Sequence, residues 1–373
     1  MGARMSRTWD VCVVGGGPAG LASAIALRQR GLRVVVTDGS RPPIDKACGE
    51  GLMPDSVAAM QRLGVEIPTE LSRRFQGIRF IEKGIQADGD FAKGYGLAVR
   101  RTVLHEAMVA RAETCGVTLR WGSPITGISA GGVITNSETI QADWIVGADG
   151  ARSRVRHWAG LDASIRYQRR YAYRRHYQLE PWSSRMEVHW GNDSQAYATP
   201  LGPNQVCIVV VSRNPELRLD AALEAFPALR ARIANAIPLS TERGAVTSMH
   251  SLRRVCSGRV ALVGDASGSV DAITGEGLGL SFRQASALAE AIEHRDLNHY
   301  QREHRRLAWV PNLMARGLLM LDGRPWLRRR VLAALEDGNL FSRMLRVHTG
   351  EAPVRDLVTT GAWLGLKLIG DLT

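Results

Sequence analysis

The pattern of apolar and polar positions changes period twice near the N-terminus. Residues 9–38 read WDVCVVGGGPAGLASAIALRQRGLRVVVTD: a short apolar run, a glycine turn, a segment with apolar residues at three- and four-residue steps, and a second apolar run that ends in an acid. Continuous short apolar runs are typical of buried strands, whereas a period of about 3.6 residues is typical of a helix. The pattern therefore predicts a strand–helix–strand unit with two parallel strands.

The glycine turn of this unit has the spacing that dinucleotide-binding proteins use. Gly15 permits the tight turn, Gly17 lets the backbone approach a pyrophosphate, and Gly20 lets helix and strand pack closely. The N-terminus of the helix then offers N–H groups and the positive end of its dipole to the phosphates. Asp38 ends the second strand, where a carboxylate accepts hydrogen bonds from a ribose. Together with Ala19, these residues predict a dinucleotide site and leave open whether it takes NAD or FAD.

Two later stretches bear on the choice of dinucleotide. The stretch DWIVGADGARSRVR is a strand that runs into Asp149 and Gly150. The stretch RVALVGDASGSVDAITGEGLGLS is a strand that ends at Gly264 and Asp265, followed by a glycine-rich turn that opens a long helix. In this order and spacing, the three motifs resemble the FAD-dependent oxidoreductase family of the aromatic hydroxylases (group A flavin monooxygenases) and the geranylgeranyl reductases.

The resemblance implies an α/β fold in which a Rossmann-like, p-hydroxybenzoate hydroxylase-like FAD-binding domain carries an inserted mixed β-sheet substrate domain and a C-terminal helical segment. A nicotinamide dehydrogenase would not need the second and third motifs, so we expect FAD as cofactor and NADPH or NADH as reductant. Backbone N–H groups at a helix start would face the flavin pyrimidine edge, where a reduced flavin carries negative charge. Beyond the first motif, the implied cofactor-binding residues are Gly49, Arg101, Asp149, Gly150, Gly264, Asp265, Gly275, Gly277 and Leu278.

The resemblance also predicts how the domains divide the chain. Segments such as YAYRRHYQLE, RMEVHWG, QAYATPLG and QVCIVVVS are rich in β-branched and aromatic residues and predict strands of a sheet that roofs the flavin. Beyond about residue 300, apolar residues recur at three- and four-residue steps, which predicts helices. We expect the FAD domain to comprise residues 1–75, 98–165 and 255–300, the substrate domain 76–97 and 166–254, and the helical region 301–373.

The sequence offers two candidate catalytic residues, Cys48 and Arg174. KACGEG resembles the Lys-x-Cys-Gly segment of the geranylgeranyl reductase branch, in which the cysteine lies over the flavin, so Cys48 could donate a proton after hydride transfer. The alternative is that Cys48 is merely small, where Gly49 and Gly51 let the backbone approach the flavin. Arg174 lies in the arginine- and tyrosine-rich first roof strand, whose alternate side chains point to the cavity and to solvent. A solvated or ion-paired Arg174 is the alternative.

The reaction type depends on the roof. Halogenases carry a Trp-x-Trp-x-Ile-Pro stretch, which this chain lacks. The reductases carry Tyr-x-Trp-x-Phe-Pro, whereas AYATPLG has Tyr197 and Pro200 without the tryptophan and phenylalanine. This loss of apolar bulk favours a monooxygenase that hydroxylates a small aromatic or polyketide-type substrate of secondary metabolism through a flavin C4a-hydroperoxide. Reduction of a C=C bond is the alternative, and a non-catalytic flavin electron-transfer protein would need no roof.

The composition limits the cellular location and the binding partners that we expect for this protein. The net charge is +12, but no nucleic-acid motif accompanies it. The five cysteines have no CxxC spacing, which indicates reduced thiols and no metal site. No apolar run approaches the roughly 20 residues of a membrane span. We therefore expect a cytoplasmic enzyme with a small-molecule substrate, in which the apolar segment GAWLGLKLIGDL (361–372) packs on the FAD domain, peripheral membrane contact being the alternative.

Overall fold

The computed structural model describes residues 9–336, 338–353, 355, 356 and 361. The helices are α1 (Pro18–Gln29), α2 (Pro54–Arg62), α3 (Arg101–Thr114), α4 (Arg154–Trp158), α5 (Leu219–Leu223), α6 (Pro227–Ile233), α7 (Gly277–Glu293), α8 (Leu297–Asp322), α9 (Pro325–Ala334) and α10 (Asn339–His348). The strands are β1 (Trp9–Val14), β2 (Val34–Asp38), β3 (Gly51–Leu52), β4 (Ser72–Phe75), β5 (Gly77–Glu82), β6 (Ile85–Asp90), β7 (Gly96–Val99), β8 (Thr118–Trp121), β9 (Ile125–Ile128), β10 (Gly132–Thr135), β11 (Thr139–Gly147), β12 (Ser164–Gln178), β13 (Met186–Trp190), β14 (Ser194–Gly202), β15 (Gln205–Ser212), β16 (Ile237–Pro238), β17 (Arg243–Leu252), β18 (Cys256–Ser257), β19 (Val260–Leu262) and β20 (Gly268–Ser269).

The first sheet, which we call the parallel sheet, has the strand order β18-β19-β11-β1-β2-β8. Its central strand β1 runs parallel to β2 and β11, with Val13 opposite Val36 and Val146. All three valines are buried, as their continuous apolar runs predict. The α1 helix crosses from β1 to β2. The sheet and this crossover confirm the predicted α/β fold and its strand–helix–strand unit.

The second sheet, which we call the roof sheet, has the order β20-β17-β12-β15-β14-β13-β5-β6. Neighbouring strands are antiparallel except β13 and β5, so the sheet is mixed. The four segments predicted as roof strands correspond to β12, β13, β14 and β15. Because side chains alternate along a strand, the buried face of β12 carries Arg170, Ala172, Arg174 and His176.

One segment differs from the sequence-based prediction. Residues 76–97 are predicted to contribute to the roof, but β7, which begins at Gly96, pairs with β3 and β4 in a separate small sheet. The C-terminal region is helical as predicted, and Gly338, with a φ of +73°, separates α9 from α10. The predicted domain boundaries remain a prediction. The segment 361–372 lies outside the described residues apart from Gly361, and among the described residues no helix has the length and hydrophobicity to span a membrane.

Candidate active site

A cavity of about 610 Å³ lies between the parallel sheet and the roof sheet. Its wall combines the carboxyl ends of parallel strands, the N-termini of α1 and α7, and side chains of the roof. In open parallel sheets, ligands bind in the crevice outside the carboxyl ends of the strands. Of the predicted cofactor-binding residues, those in the wall are Gly15, Gly17, Ala19, Asp38, Gly49, Arg101, Asp149, Gly150, Gly264, Asp265, Gly275, Gly277 and Leu278.

The glycines of the turn after β1 have different surroundings: Gly15 and Gly20 are closely packed, whereas Gly17 faces open space. A Cβ on Gly20 would lie 1.8 Å from the carbonyl oxygen of Gly15, and a Cβ on Gly15 would lie 2.4 Å from that of Ala148. These two glycines are therefore required by the protein's own packing, and Gly20 lies behind the wall. A Cβ on Gly17 would meet no protein atom within 4 Å. The space before Gly17, at the N-terminus of α1, is free for an anionic group such as a pyrophosphate.

The acid at the end of β2 supports this turn from the other side. The Asp38 carboxylate accepts hydrogen bonds from the backbone N–H groups of Gly16 and Ser40, both at 2.7 Å. His105, which the sequence analysis did not single out, has its Nε2 2.8 Å from the Gly16 carbonyl oxygen. Burial lowers the pKa of His105, so the neutral ring donates from Nε2 to that oxygen. The backbone of Gly16 is thus hydrogen-bonded at both its N–H and its C=O.

Asp149 has a local structural role as well as a place in the wall. Its carboxylate accepts hydrogen bonds from the Ser153 hydroxyl at 2.5 Å and from the backbone N–H groups of Arg154 and Val155 at 2.7 and 3.1 Å. These contacts satisfy donors in the first turn of α4. Gly150 follows with a φ of +80°, a conformation that favours glycine. The motif therefore shapes the wall by terminating one strand and starting one helix.

In the turn that follows β19, Asp265 forms an ion pair with Lys46 at 2.9 Å, and both residues line the cavity. The backbone N–H of Gly264 donates to the Gln284 side chain at 2.9 Å, which ties this turn to α7. Arg101 adds a buried guanidinium Nε without a hydrogen-bond partner in the described part of the chain. An elongated anionic dinucleotide with hydroxyl groups fits this wall, since it offers helix N-termini, an arginine and strand-end carboxylates.

Cys48 lies in the wall and is held by its neighbours. Its Sγ accepts a hydrogen bond from the backbone N–H of Glu50 at 3.2 Å, and burial raises the pKa of the thiol. The next carbonyl, that of Gly49, accepts a hydrogen bond from the Thr199 hydroxyl at 2.8 Å. The cysteine segment is therefore anchored to roof strand β14, and Cys48 presents a protonated thiol at neutral pH.

Arg174, a candidate catalytic residue on sequence grounds, is not among the residues of the cavity wall. Its guanidinium is buried and pairs with Glu50 at 2.8 Å and with Asp45 at 2.9 Å. The ion-paired alternative describes it, because β12 turns Arg174 toward these two acids. The other Glu50 oxygen lies 2.7 Å from His176 Nε2. We call Asp45, Glu50, Arg174 and His176 the buried ionic cluster.

The sequence analysis did not predict that the buried ionic cluster holds the segment that carries Cys48. Glu50 has a φ of +59°, which is unusual for a residue other than glycine, and its Oε1 also accepts a hydrogen bond from the backbone N–H of Arg101 at 3.0 Å. Glu50 thus touches both Cys48 and Arg101 through hydrogen bonds. Cys207 lies beside Glu50. One potential metal-ligand atom from each of Glu50, His176 and Cys207 lies within 4.8 Å of the other two. Because both Glu50 oxygens already accept from cationic or N–H donors, we assign no metal there.

Roof strands β12, β13, β14 and β15 line the cavity mainly with apolar side chains, and strands β17 and β20 add Thr247, Ser248 and Ser269. Ala172, Met186, Val209 and Val211 face it. Tyr197 also lines it, but its hydroxyl donates to the Gln195 side chain at 2.8 Å, and burial raises the pKa of Tyr197. Among the described residues that the roof sheet contributes to the wall, Tyr197 is the only one with an ionisable side chain. The cavity therefore joins a polar end for a dinucleotide to an apolar end for a second molecule.

The fold and this wall define the class as a flavoprotein oxidoreductase. A family model described as the FAD binding domain matches residues 8–309, so the chain belongs to that family and is an FAD-dependent oxidoreductase. The resemblance to the aromatic hydroxylases and geranylgeranyl reductases is thereby confirmed.

Curated relatives include both reductases and an enzyme named as a synthase. The chain is 28% identical to the menaquinone reductase of Mycolicibacterium smegmatis over 334 residues, which cover 79% of each chain. It is 29% identical to the chloroplastic geranylgeranyl diphosphate reductase of Oryza sativa subsp. japonica, covering 81% of this chain and 73% of the relative. It is 28% identical to a putative 2-heptyl-3-hydroxy-4(1H)-quinolone synthase of Rhodococcus erythropolis, covering 75% and 78%.

Solved structures show the same fold at low identity. A flavoprotein/dehydrogenase from Cytophaga hutchinsonii matches with a TM-score of 0.82 and 17% identity, covering 97% of this chain and 99% of that one. The p-nitrophenol 4-monooxygenase of Pseudomonas putida matches with a TM-score of 0.79 and 20% identity, covering 93% and 98%. These likenesses establish the architecture of the chain.

Proposed function

We propose that this protein is a monooxygenase that takes electrons from NADPH or NADH and hydroxylates a small aromatic or polyketide-type substrate beneath the roof sheet. The observation that carries the proposal is the apolar end of the cavity, which adjoins the dinucleotide end. Apolar walls exclude water, and oxygen transfer needs that exclusion because water diverts reactive oxygen species from the substrate. Bound FAD would supply the electron and oxygen chemistry.

The chain's own residues would hold FAD in place. The backbone around Gly17 and the N-terminus of α1 would bind the pyrophosphate, and Asp38 would bind the ribose. Asp265 would exchange its ion pair with Lys46 for hydrogen bonds to the ribityl chain. The first turn of α7, at Gly277 and Leu278, would face the pyrimidine edge with the positive end of the helix dipole.

The roof would orient an electron-rich ring without taking its proton. Because the Tyr197 hydroxyl is bound to Gln195, the described roof residues offer no acid or base with an available group. Thr199, whose hydroxyl binds Gly49, is smaller than the aromatic residues of the reductase stretch, so it adds little apolar bulk beside the wall. A compact ring would fill this space better than a long isoprenoid chain, and its own hydroxyl or amino substituents would activate it.

Reduction of a C=C bond is the second candidate, and Cys48 favours it. Its thiol lies in the wall, and burial keeps it protonated, which is what a donor to a carbanion requires. The relatives named as menaquinone reductase and geranylgeranyl diphosphate reductase add weight to this candidate. The two candidates differ in whether the substrate gains an oxygen atom or two hydrogen atoms.

The test is to incubate the FAD-loaded protein with NADPH or NADH and, in turn, phenols, polyketide aromatics and prenyl lipids. We expect nicotinamide oxidation that depends on one of the aromatic classes, and a product that has gained one oxygen atom. A product with two added hydrogens would replace the proposal with its alternative. Nicotinamide oxidation that no substrate accelerates, with electrons passed on to a protein acceptor, would indicate an electron-transfer protein.

A further inference from the structure

The outward side of α8 presents large apolar side chains to solvent. Trp309 is 54% exposed, Leu313 43% and Met320 46%. The opposite side of the same helix buries Tyr300, and α8 packs there against α7. Helix faces in contact with water are ordinarily polar, and contiguous exposed apolar side chains mark interaction surfaces.

Arginines share this face with the apolar side chains. Arg302, Arg306 and Arg316 are exposed, and they recur with the apolar residues at three- and four-residue steps. At 3.6 residues per turn, the six residues fall within an arc of about 80°. We call them the α8 face: Arg302, Arg306, Trp309, Leu313, Arg316 and Met320.

Among the described residues, two acids pair with arginines of the α8 face, which holds three arginines. Asp296, the N-cap of α8, lies 3.9 Å from Arg302, and Glu303 pairs with Arg306 at 2.7 Å. Asp322, at the end of α8, is buried, where it pairs with Arg213. Immediately after α8, the first turn of α9 contains Trp326, which is 64% exposed. The face is thus basic and apolar together, within a chain of net charge +12.

We propose that the α8 face docks the protein on an anionic lipid bilayer. Tryptophan prefers the membrane–water interface, where its ring lies among the lipid headgroups, and arginines bind anionic headgroups while their stems cover apolar surface. A second copy of the chain is a poorer occupant, because a two-fold interface places the same patch on both subunits and would set these arginines against each other. The α8 face is not part of the cavity wall, so docking on lipid does not depend on the proposed reaction.

The experiment is co-sedimentation of the FAD-loaded full chain with vesicles of phosphatidylglycerol and phosphatidylcholine in equal parts, and with vesicles of phosphatidylcholine alone. We expect binding to the anionic vesicles that weakens strongly between about 0.1 M and about 1 M salt, because salt screens the headgroup charge. Binding that is absent, or that is equal on neutral vesicles, would overturn the proposal.

Two pairs of variants and two matched controls locate the surface. Trp309→Ser with Leu313→Ser, and Arg302→Gln with Arg306→Gln, should each reduce vesicle binding, the second by about fivefold for each arginine. The apolar control is Ile237→Ser with Leu239→Ser, two exposed side chains on or beside β16. The charge control is Arg62→Gln with Arg232→Gln, two exposed arginines on other helices.

Both controls should bind as the unaltered chain does, and unchanged FAD content should verify folding throughout. Equal binding by all four variants would contradict the assignment to α8. Loss of binding only on deletion of residues 357–373 would assign the contact to that segment instead. A dimer seen by sedimentation velocity, and dissolved by Trp309→Ser with Leu313→Ser, would identify a second copy as the occupant and overturn the lipid proposal.

Discussion

Gly17 and Gly20 stand three residues apart, and a methyl group has a different consequence at each. Gly17 has a φ of −72° and open space beside it, so Gly17→Ala should leave the free energy of unfolding within about 0.5 kcal/mol while lowering FAD affinity roughly tenfold or more. Gly20→Ala places its methyl against the Gly15 carbonyl and should cost about 1–3 kcal/mol of stability. Urea unfolding and FAD titration of the apoprotein separate the two effects. Unchanged FAD affinity in Gly17→Ala would argue against the pyrophosphate position.

Substitution of Cys48 distinguishes the two candidate reactions. In a hydroxylase the thiol has no proton to supply, so Cys48→Ser should keep most of the turnover and alter mainly the coupling of nicotinamide oxidation to product. In a C=C reductase, loss of the proton donor should lower product formation by roughly 10²–10⁴-fold, because serine is a much weaker acid. Stopped-flow flavin reduction and product yield measure the two steps separately. Cys115→Ser, at the end of α3 and outside the wall, is the matched control.

At the scale of elements, the buried ionic cluster joins roof strand β12 to the segment that carries Cys48. Glu50→Gln removes one of the two acids that pair with the buried Arg174 and should lower the free energy of unfolding by roughly 1–3 kcal/mol, since Asp45 compensates only part of that charge. Asp220→Asn is the control, because Asp220 pairs with the neighbouring Arg175 but is 71% exposed, and we expect a cost of about 0–1 kcal/mol. Equal costs in urea unfolding would show that the cluster does not tie these elements together.

Elements with a local signal were predictable, and contacts between distant segments were not. The β1–α1–β2 unit, the roof strands and α8 all follow from periodicity and turn residues within one window. The place of β7 in a small sheet depends on pairing with β3 and β4. The contacts of Glu50 with Arg174 and His176 depend on which face of β12 turns inward, and the alternation of side chains along a strand allows either face. Glu50 itself stood between two glycines, the one local sign of its unusual backbone conformation.

For the molecule as a whole, stability should fall in mild acid, and His304 makes part of that fall testable. Burial lowers the pKa of His304 from 6.5 to about 4, and its Nε2 lies 2.8 Å from the Ser267 hydroxyl. The unfolded chain therefore binds this proton at a higher pH than the folded chain does. The stabilisation is complete above pH 6.5 and is lost as the pH falls toward about 4, by an amount on the order of 3 kcal/mol.

His304→Gln keeps a polar group near Ser267 and removes the titration. Urea unfolding across this pH range should therefore give the variant a shallower loss of stability than the unaltered chain. Parallel curves for the two proteins would show that His304 takes up its proton equally well in the folded and unfolded chains.

The proposed monooxygenase transfers one oxygen atom from dioxygen to an aromatic substrate in the cavity. The most direct measurement is the mass of the product formed with FAD, reduced nicotinamide and isotopically labelled dioxygen, using the substrate that most accelerates nicotinamide oxidation. We expect a product that contains one labelled oxygen atom. A product with two added hydrogens and no label, formed equally well without dioxygen, would contradict the proposal.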